Sequence, residues 1–536
     1  MAVASATPEA VGPGTAAASA RAGGRSGRRR RARVGLLLAA SLGCAACGLV
    51  YELTLLNLAG ILVGSSVQTT SLVLGVFVCA MGVGSILSKP LAARPLAAFV
   101  GIEATLALVG GVSGPALYAA FGWFEVYEPV ALGSATLVGA LIGAEIPLLM
   151  ALVGRLRTSA ASDDAADVMA ADYLGALAAG VAFPFLLVPA FGLVTTTLAA
   201  GLLNLVLAGV VVLAVGTTRR RGLGALALLV ALAAVLAVGL ARSDGWVASV
   251  RQRLYDDPIV AAEQSRYQEV VLTRSFDGRD TRLFLDGDLQ FSSVDEYRYH
   301  EALVHPVMAG PHGRVLVLGG GDGLAAREVL RYDDVEEVVQ VELDPAVTRL
   351  ATTNDAVVAL NEGSLADPRV TVVHDDAFTW TAERARGDTP ERPFDVVIVD
   401  MPDPESLDTV RLYSEEMYRA VAALLAPDGR MVVQAGSPYF ARQAFWSVEA
   451  TVAAAGLRTT PYHVDVPTFG DWGFVVGAPQ RFTLGMAEGV APRFLTPEVV
   501  AASQAFGADA GPVEVEVNTL DDPVLVDYTE RGWSAY

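Results

Sequence analysis

The chain has 536 residues, 53% of them hydrophobic, so it is too long for one ordinary domain and too apolar for a uniformly water-soluble protein. Its formal net charge is −20, and the residues after Arg242 alone carry 23 basic against 48 acidic side chains. Because phosphate binding needs a basic surface, this balance excludes nucleic acid as a partner. A cationic ligand fits it, although general solubility explains the acidity equally well.

The first 33 residues are rich in Ala, Gly and Ser and end in a basic cluster, Arg28 to Arg31 with Arg33. A signal peptide can begin in this way, but the apolar run that follows is long and lacks an evident small-residue cleavage site. The pattern predicts a disordered basic tail over 1–33, followed by a membrane anchor.

Seven apolar segments, each of about 20 residues, lie within 34–242 and predict a multi-span helical bundle of about seven helices in the cell membrane and its lipid bilayer. They are 34–56, 61–87, 96–120, 129–153, 172–191, 194–216 and 222–241. Basic residues flank alternate ends, which places the N-terminus in the cytoplasm by the positive-inside rule. Seven full crossings would put the C-terminal half on the outer face. A re-entrant last segment or one miscounted span would put it in the cytoplasm.

Four acidic residues lie in or beside these segments: Glu52, Glu103, Glu145 and Asp172. Carboxylates inside a membrane are costly, so they indicate a function, here a site or path for a cation. Glu145, followed by Pro147, is the best candidate, whereas Glu52 and Glu103 would lie near helix ends in structural roles.

All three cysteines, Cys44, Cys47 and Cys79, also fall in the apolar segments. The CxxC-like spacing of the first two would indicate redox or zinc chemistry in a soluble domain, but within a spanning helix it favours small packing residues. The five histidines show no metal-ligand spacing, and no metal is expected.

The remaining sequence predicts a water-soluble α/β domain. Over 243–312, the stretches YQEVVLTR and TRLFLDGDLQFSS, with a turn at Gly287, predict a small antiparallel sheet. From 313 to 490, the strand RVLVL, the Gly-rich turn GGGDG and a following helix predict a Rossmann-like, methyltransferase-type doubly wound sheet that binds a nucleoside. Residues 491–536 are expected to form a C-terminal extension.

Acidic residues end four successive strands of this predicted sheet. They are Asp322, Glu342, Asp376 and the pair Asp400 and Asp403. In an open parallel sheet the ligand crevice lies at the carboxyl ends of the strands, so these side chains should converge. A lone Asp there would more often cap a helix or stabilise a turn, but five at successive strand ends indicate a site for a polycation.

The ordered motifs GGGDG, QVELD, DDA and DMPDP, with the upstream YQ and YHE, resemble the spermidine synthases, whose fold is that of S-adenosylmethionine-dependent methyltransferases. The likeness covers roughly 265–480, and the bundle, with CGLVYEL and SSVQTTSLVLG, looks like the membrane-fused bacterial branch. The resemblance implies transfer of an aminopropyl group from decarboxylated S-adenosylmethionine to putrescine or a longer polyamine, with release of methylthioadenosine. It implies no permanently bound cofactor, and a homodimer formed through the catalytic domain.

The resemblance also implies which residues would bind the donor. Glu342 would hold its ribose, Asp376 with Ala377 would meet its adenine, and Asp322 would pair with its aminopropyl ammonium. Gln268 matches a position that lines this donor site.

For the acceptor amine, the resemblance points to Tyr299, His300 and Asp403 as lining residues and to Asp400 as the proton acceptor. An alkylammonium has a pKa near 10 and no free lone pair, so a carboxylate must take its proton before the nitrogen can attack.

Three departures from the family pattern leave the acceptor open. Phe469 stands where a Tyr is usual, DPESLDTVRLYS replaces DP-x-GP, and Ala377 replaces a Gly. These variants resemble the thermospermine-synthase side of the superfamily, and Asp471 would bind an amine or serve in a turn. The competing hypotheses are a membrane polyamine transporter or sensor whose soluble domain only binds, and a methyltransferase, which an acidic donor site disfavours.

Overall fold

The computed structural model describes residues 13–63, 67–120, 127–156, 161–215, 219–387 and 392–534. They divide between Leu254 and Tyr255 into an N-terminal helical unit and a C-terminal α/β unit.

The helical unit contains seven α-helices in the described residues. They are α1 (Pro13–Val63), α2 (Val67–Leu87), α3 (Pro95–Ala119), α4 (Tyr127–Leu156), α5 (Ala161–Ala182), α6 (Val188–Val215) and α7 (Arg219–Arg251). Within them, six runs are long and apolar enough to cross a membrane. The count differs from the expected seven because segments 172–191 and 194–216 fall in one run, Ala165–Val215, which is interrupted only by a kink at Gly192 (φ 71°, ψ 172°).

Both ends of the helical unit differ from the sequence prediction. Helix α1 begins at Pro13 and so includes residues 13–33, over which the sequence predicts a disordered basic tail. Residues 1–12 lie outside the described part. Helix α7 continues past the predicted end at 242, because Trp246, Val247 and Val250 still pack against the apolar core of the bundle.

The α/β unit opens with a four-stranded antiparallel sheet, as predicted. Its strands are β1 (Ile259–Gln264), β2 (Glu269–Arg274), β3 (Thr281–Leu285) and β4 (Asp288–Ser292), in that spatial order. Asp286 and Gly287 connect β3 to β4, both with positive φ (51° and 98°), as a two-residue hairpin turn of type I′ requires.

A seven-stranded mixed sheet follows. Its strands are β5 (Arg314–Gly319), β6 (Glu337–Glu342), β7 (Val370–His374), β8 (Phe394–Asp400), β9 (Leu425–Gln434), β10 (Arg458–Val466) and β11 (Gly470–Ala478). The spatial order is β10-β11-β9-β8-β5-β6-β7. Strands β5 to β9 run parallel to one another, whereas β11 runs antiparallel to β9 and to β10.

Helices pack on the sheet and complete the unit. They are α8 (Glu296–Val304), α9 (Leu324–Leu330), α10 (Pro345–Thr353), α11 (Asp355–Asn361), α12 (Ala377–Arg386), α13 (Leu407–Val410), α14 (Glu415–Leu424), α15 (Arg442–Ala454), α16 (Pro497–Ala502) and α17 (Val524–Trp533). Along β5, Val315 and Val317 belong to one apolar core and Leu316 and Leu318 to another, so both sheet faces are covered.

The order of the parallel strands determines where a ligand crevice lies. The chain runs outward from β5 to β6 and β7, then returns to β8 on the other side of β5. Such a switch point opens a crevice outside the carboxyl ends of the two central strands. The candidate residues that follow these strand ends are therefore brought to one edge of the sheet.

Candidate active site

The Gly-rich turn after β5 joins the ends of three strands. The N–H of Gly320 donates to the carbonyl oxygen of Asp400, 3.0 Å away. A Cβ atom at Gly319 would lie 2.0 Å from that same carbonyl oxygen, and one at Gly321 would lie 2.5 Å from a carboxylate oxygen of Glu342. Only glycine fits at these two positions. Because glycine has no side chain, the carboxylates at the ends of β6 and β8 can approach the loop.

Asp400 lies at the end of β8 in an aromatic pocket. The hydroxyl of Tyr299 donates to Asp400 Oδ1 at 2.7 Å. The Tyr299 ring makes edge contacts with His300 and Phe469, at centroid distances of 5.0 and 6.0 Å. Burial raises the pKa of Asp400, while the charge of His300 and the Tyr299 hydrogen bond oppose the rise. Asp400 is therefore a carboxylate suited to accepting a proton.

His300 is held beside this carboxylate by a buried ion-pair network. Its Nδ1 lies 2.9 Å from Glu296 Oε2, and Arg327 donates to both oxygens of Glu296 at 2.9 Å. Burial lowers the pKa of His300, but the hydrogen bond and charge of Glu296 outweigh it and raise the value to about 9. Burial likewise raises the pKa of Glu296, yet His300 and Arg327 bring it down to about 2. His300 is thus a cation at neutral pH.

Asp322 and Glu342 line the side of the crevice predicted to hold the donor. Asp322 Oδ1 accepts from the N–H of Leu324 at 2.8 Å, and Glu342 Oε1 accepts from the N–H of Asp344 at 2.9 Å. Burial is the main cause that raises the pKa of Asp322 to about 6 and that of Glu342 to about 7. Gln268 donates to Asp344 at 3.3 Å and so reaches the end of β6 indirectly.

The carboxylate of Asp376, which the sequence analysis predicts to meet the adenine of the donor, is engaged by two protein groups. It caps α12 by accepting from the N–H of Thr379 at 2.8 Å, and it forms a 2.6 Å ion pair with Arg411. Burial raises the pKa of Asp376, but these contacts lower it overall. Ala377, the first residue of α12, is buried. Arg411 was not predicted, although it belongs to the DPESLDTVRLYS segment that departs from the family pattern.

Asp403 is positioned by Gln434, which the sequence analysis did not single out. Gln434 Nε2 donates to Asp403 Oδ1 and to the carbonyl oxygen of Met401, each at 2.8 Å, and lies 2.6 Å from the Tyr413 hydroxyl. Burial raises the pKa of Asp403 to about 6; the Gln434 hydrogen bond opposes this, and the charge of Asp288 adds to it. Gln434 could have been identified from the sequence, because it is a polar residue at the end of the buried strand segment MVVQ.

Asp471 has a partner within the sheet. Its carboxylate lies 2.5 Å from Nδ1 of His463 across the β10–β11 pair. Neighbouring Phe469 and Trp472 form an aromatic wall, with centroids 5.1 Å apart. The ion pair thus engages the Asp471 carboxylate, for which the sequence left an amine-binding role and a turn role open.

Comparisons with known proteins identify the family of the chain. The spermine/spermidine synthase domain family matches residues 296–482. The chain is 48% identical to polyamine aminopropyltransferase 1 of Streptomyces coelicolor over 95% of this chain and 96% of the relative. It is 46% identical to the polyamine aminopropyltransferase of Mycobacterium tuberculosis H37Rv over 93% and 96%. A crystal structure of spermidine synthase with the transition-state analogue AdoDATO has a TM-score of 0.42 and 23% identity, over 52% of this chain and 89% of that one. The chain belongs to the polyamine aminopropyltransferases, the enzyme family that includes the spermidine synthases.

Proposed function

We propose that this enzyme transfers the aminopropyl group of decarboxylated S-adenosylmethionine to a polyamine acceptor, putrescine or a longer amine, and releases methylthioadenosine. The observation that carries the proposal is the half-buried carboxylate of Asp400, held by the Tyr299 hydroxyl next to the Gly-rich turn and the carboxylates of Asp322 and Glu342. The relatives' names support transfer over the binding-only alternative.

In the proposed reaction, a C–N bond forms as a C–S bond breaks. The acceptor ammonium gives its proton to Asp400, and the freed nitrogen lone pair attacks the aminopropyl carbon next to the sulfonium. The electron pair of the C–S bond stays on sulfur, which leaves as the neutral thioether methylthioadenosine. Holding nitrogen, carbon and sulfur in line supplies much of the rate enhancement.

His300 would assist this proton transfer electrostatically. As a cation next to Asp400 it disfavours a second positive charge on the attacking nitrogen, so the neutral amine is favoured there. More distant ammonium groups of the acceptor would lie near Asp403 and near Asp288 and Glu405, whose side chains are exposed and whose charges interact with that of Asp403.

For the donor, we propose that Glu342 binds the ribose hydroxyls and Asp322 pairs with the aminopropyl ammonium. Asp376 and Ala377 would contact the adenine, with Arg411 holding the Asp376 carboxylate in place. Gln268 would line the donor site, with its side-chain amide donating to Asp344 at 3.3 Å.

Purified full-length protein incubated with decarboxylated S-adenosylmethionine and a panel of di-, tri- and tetraamines tests the proposal. Mass spectrometry should detect methylthioadenosine together with one elongated amine, and Asp400→Asn should abolish both. Asp333→Asn is the matched control, because Asp333 is an exposed aspartate between α9 and β6, at the opposite edge of the sheet. Absence of methylthioadenosine with every amine would refute the proposed reaction.

We also propose that the enzyme is a multi-pass membrane protein. A straight helix over the 51-residue run Ala165–Val215 would be about 77 Å long, more than twice the ~30 Å hydrocarbon core of a bilayer. Gly192, with φ 71° and ψ 172°, is the point within it where the chain could reverse. If the run Ala165–Val215 crosses the membrane twice, the α/β unit lies on the outer face. If it crosses once, the α/β unit lies in the cytoplasm.

Single cysteines distinguish the two topologies, since the three native cysteines all precede Arg242 and the α/β unit has none. In a variant without Cys44, Cys47 and Cys79, a cysteine introduced at exposed Phe276 should react with a membrane-impermeant maleimide on intact cells. Reaction only after lysis would refute the outer-face topology.

The expected homodimer is a separate proposal, tested by light scattering of the detergent-solubilised enzyme.

A further inference from the structure

Three helices of the membrane unit bring a thiol and two carboxylates together far from the transferase site in sequence. Cys44 of α1, Glu103 of α3 and Glu145 of α4 each offer one ligand atom, and these atoms all lie within 4.8 Å of one another. The three side chains are 0%, 0% and 1% exposed. Cys44 is the 14th residue of the 28-residue apolar run Arg31–Leu58, so the cluster lies near the middle of a span.

The carboxylates in this cluster have unused ligand atoms. Glu103 Oε1 and Glu145 Oε1 are buried and have no hydrogen-bond partner. The second oxygen of Glu103 does have one, because Asn204 Nδ2 of α6 donates to Glu103 Oε2 at 2.8 Å. That contact fixes the carboxylate plane and leaves Oε1 free. Asn204 itself is fully buried, and its Oδ1 also lacks a partner.

Apolar side chains surround the cluster and exclude water. Phe99, Ala144 and Leu148 are buried in the same apolar cluster as Cys44. Two carboxylates in such surroundings are costly unless a cation or a shared proton neutralises them. The cluster is therefore neutralised either by protons or by a positively charged ligand.

The thiol identifies the class of cation. A thiol is a weak hydrogen-bond acceptor and contributes little to holding an ammonium, whereas a thiolate is a strong ligand for zinc-class metal ions. Cysteine sulfur and Asp or Glu oxygens are each among the ligand atoms that bind zinc in proteins. Around tetrahedral Zn²⁺, with bonds of about 2.0–2.3 Å, the ligand atoms would be about 3.3–3.5 Å apart, which small side-chain rotations reach from the observed separations.

We propose that Cys44, Glu103 and Glu145 bind one divalent metal ion of the zinc class, with Asn204 as the residue that positions Glu103. On binding, the Cys44 thiol releases its proton and the thiolate coordinates the ion. The ion links α1, α3 and α4 in the interior of the bundle. Asn204 acts as an outer-shell partner, since it orients a ligand without needing to touch the metal.

Metal analysis of the full-length protein tests this inference. Protein purified in detergent, loaded with Zn²⁺ and passed through a desalting column should retain about one equivalent by inductively coupled plasma mass spectrometry. Cys44→Ala and Glu145→Gln should each weaken Zn²⁺ affinity at least tenfold in a chelator competition. Cys47→Ala is the matched control, because Cys47 is a buried cysteine one turn further along α1 and outside the cluster. It should bind as the wild type does.

Cobalt gives a second, spectroscopic measurement. Co²⁺-loaded wild type and Cys47→Ala should show a near-ultraviolet thiolate-to-cobalt charge-transfer band that Cys44→Ala lacks. If Glu145→Gln fails to fold, the comparison of the two cysteine variants still decides the question. Failure of wild type to retain metal, as a shared proton would cause, or equal retention by Cys44→Ala, refutes the site. Because the assay measures bound metal, its result is independent of the proposed transferase reaction.

Discussion

The hydrogen bond from the Tyr299 hydroxyl to Asp400 Oδ1, 2.7 Å long, stabilises the ionised form of the proposed proton acceptor. Tyr299→Phe removes the hydroxyl and keeps the ring. A hydrogen bond to a charged group contributes about 1.5–3 kcal/mol. Since one pKa unit corresponds to about 1.4 kcal/mol, the pKa of Asp400 should rise by about one to two units.

The variant should therefore need a higher pH to reach full activity. Asp400 has to be ionised to accept the proton, so the acid limb of the pH profile of kcat/KM should move upward by about one to two units. At a pH on that limb the rate should fall by about 10- to 100-fold. On the alkaline plateau the loss should be much smaller, because a carboxylate of higher pKa is also a stronger base.

Tyr462→Phe is the control for this experiment. Tyr462 is another buried tyrosine in the same apolar core, but its hydroxyl donates at 2.7 Å to the carbonyl oxygen of Ala302 and not to a carboxylate. Its acid limb should stay where the wild type has it. An unshifted limb in Tyr299→Phe, or an equal shift in both variants, would refute the assignment of Asp400 as proton acceptor.

Three further predictions concern the donor site and the buried ion pairs. Glu342→Gln should raise the KM for the donor by about 10- to 100-fold, because the ribose loses a charged acceptor, whereas the KM for the amine should hardly change in steady-state assays. Arg411→Gln should raise the donor KM by no more than about fivefold, since the ion pair with Asp376 is partly exposed. In thermal unfolding measured from pH 4 to 10, the Glu296–His300 pair should contribute fully to the stability of the folded state between about pH 4.5 and 6.5. This contribution is lost as the pH rises through the folded pKa of His300, about 9. It is also lost as the pH falls through the folded pKa of Glu296, about 2. His300→Gln should remove the alkaline part of this decline, and an unchanged decline would refute the pairing.

The main elements of the site could be predicted from the sequence because they follow from strand ends. A parallel sheet brings every residue after a strand to one edge, so Glu342 and Asp400 required only the strand pattern. The antiparallel hairpin with its turn at Gly287 could also be predicted, because the alternation of apolar and polar residues and the turn residues are local sequence signals.

The partners of these residues could not be predicted in the same way. Arg327 reaches Glu296 across 31 residues, and Arg411 reaches Asp376 across 35. No local pattern encodes such contacts, since they depend on how α9 and the loop after β8 pack. The helical unit shows the same limit: Cys44, Glu103 and Glu145 were each noted singly, but their proximity arises from the packing of three helices.

The raised pKa values in the crevice couple the proposed binding of a polyamine to the release of protons. Burial holds the pKa of Glu342 at about 7 and those of Asp322 and Asp403 at about 6. Near neutral pH, the unliganded crevice therefore already holds protons on part of its carboxyl groups. An arriving ammonium group displaces such a proton instead of adding to the charge. In the proposed reaction, the crevice would therefore release to solvent the fraction of protons that it holds as it takes in a polycation.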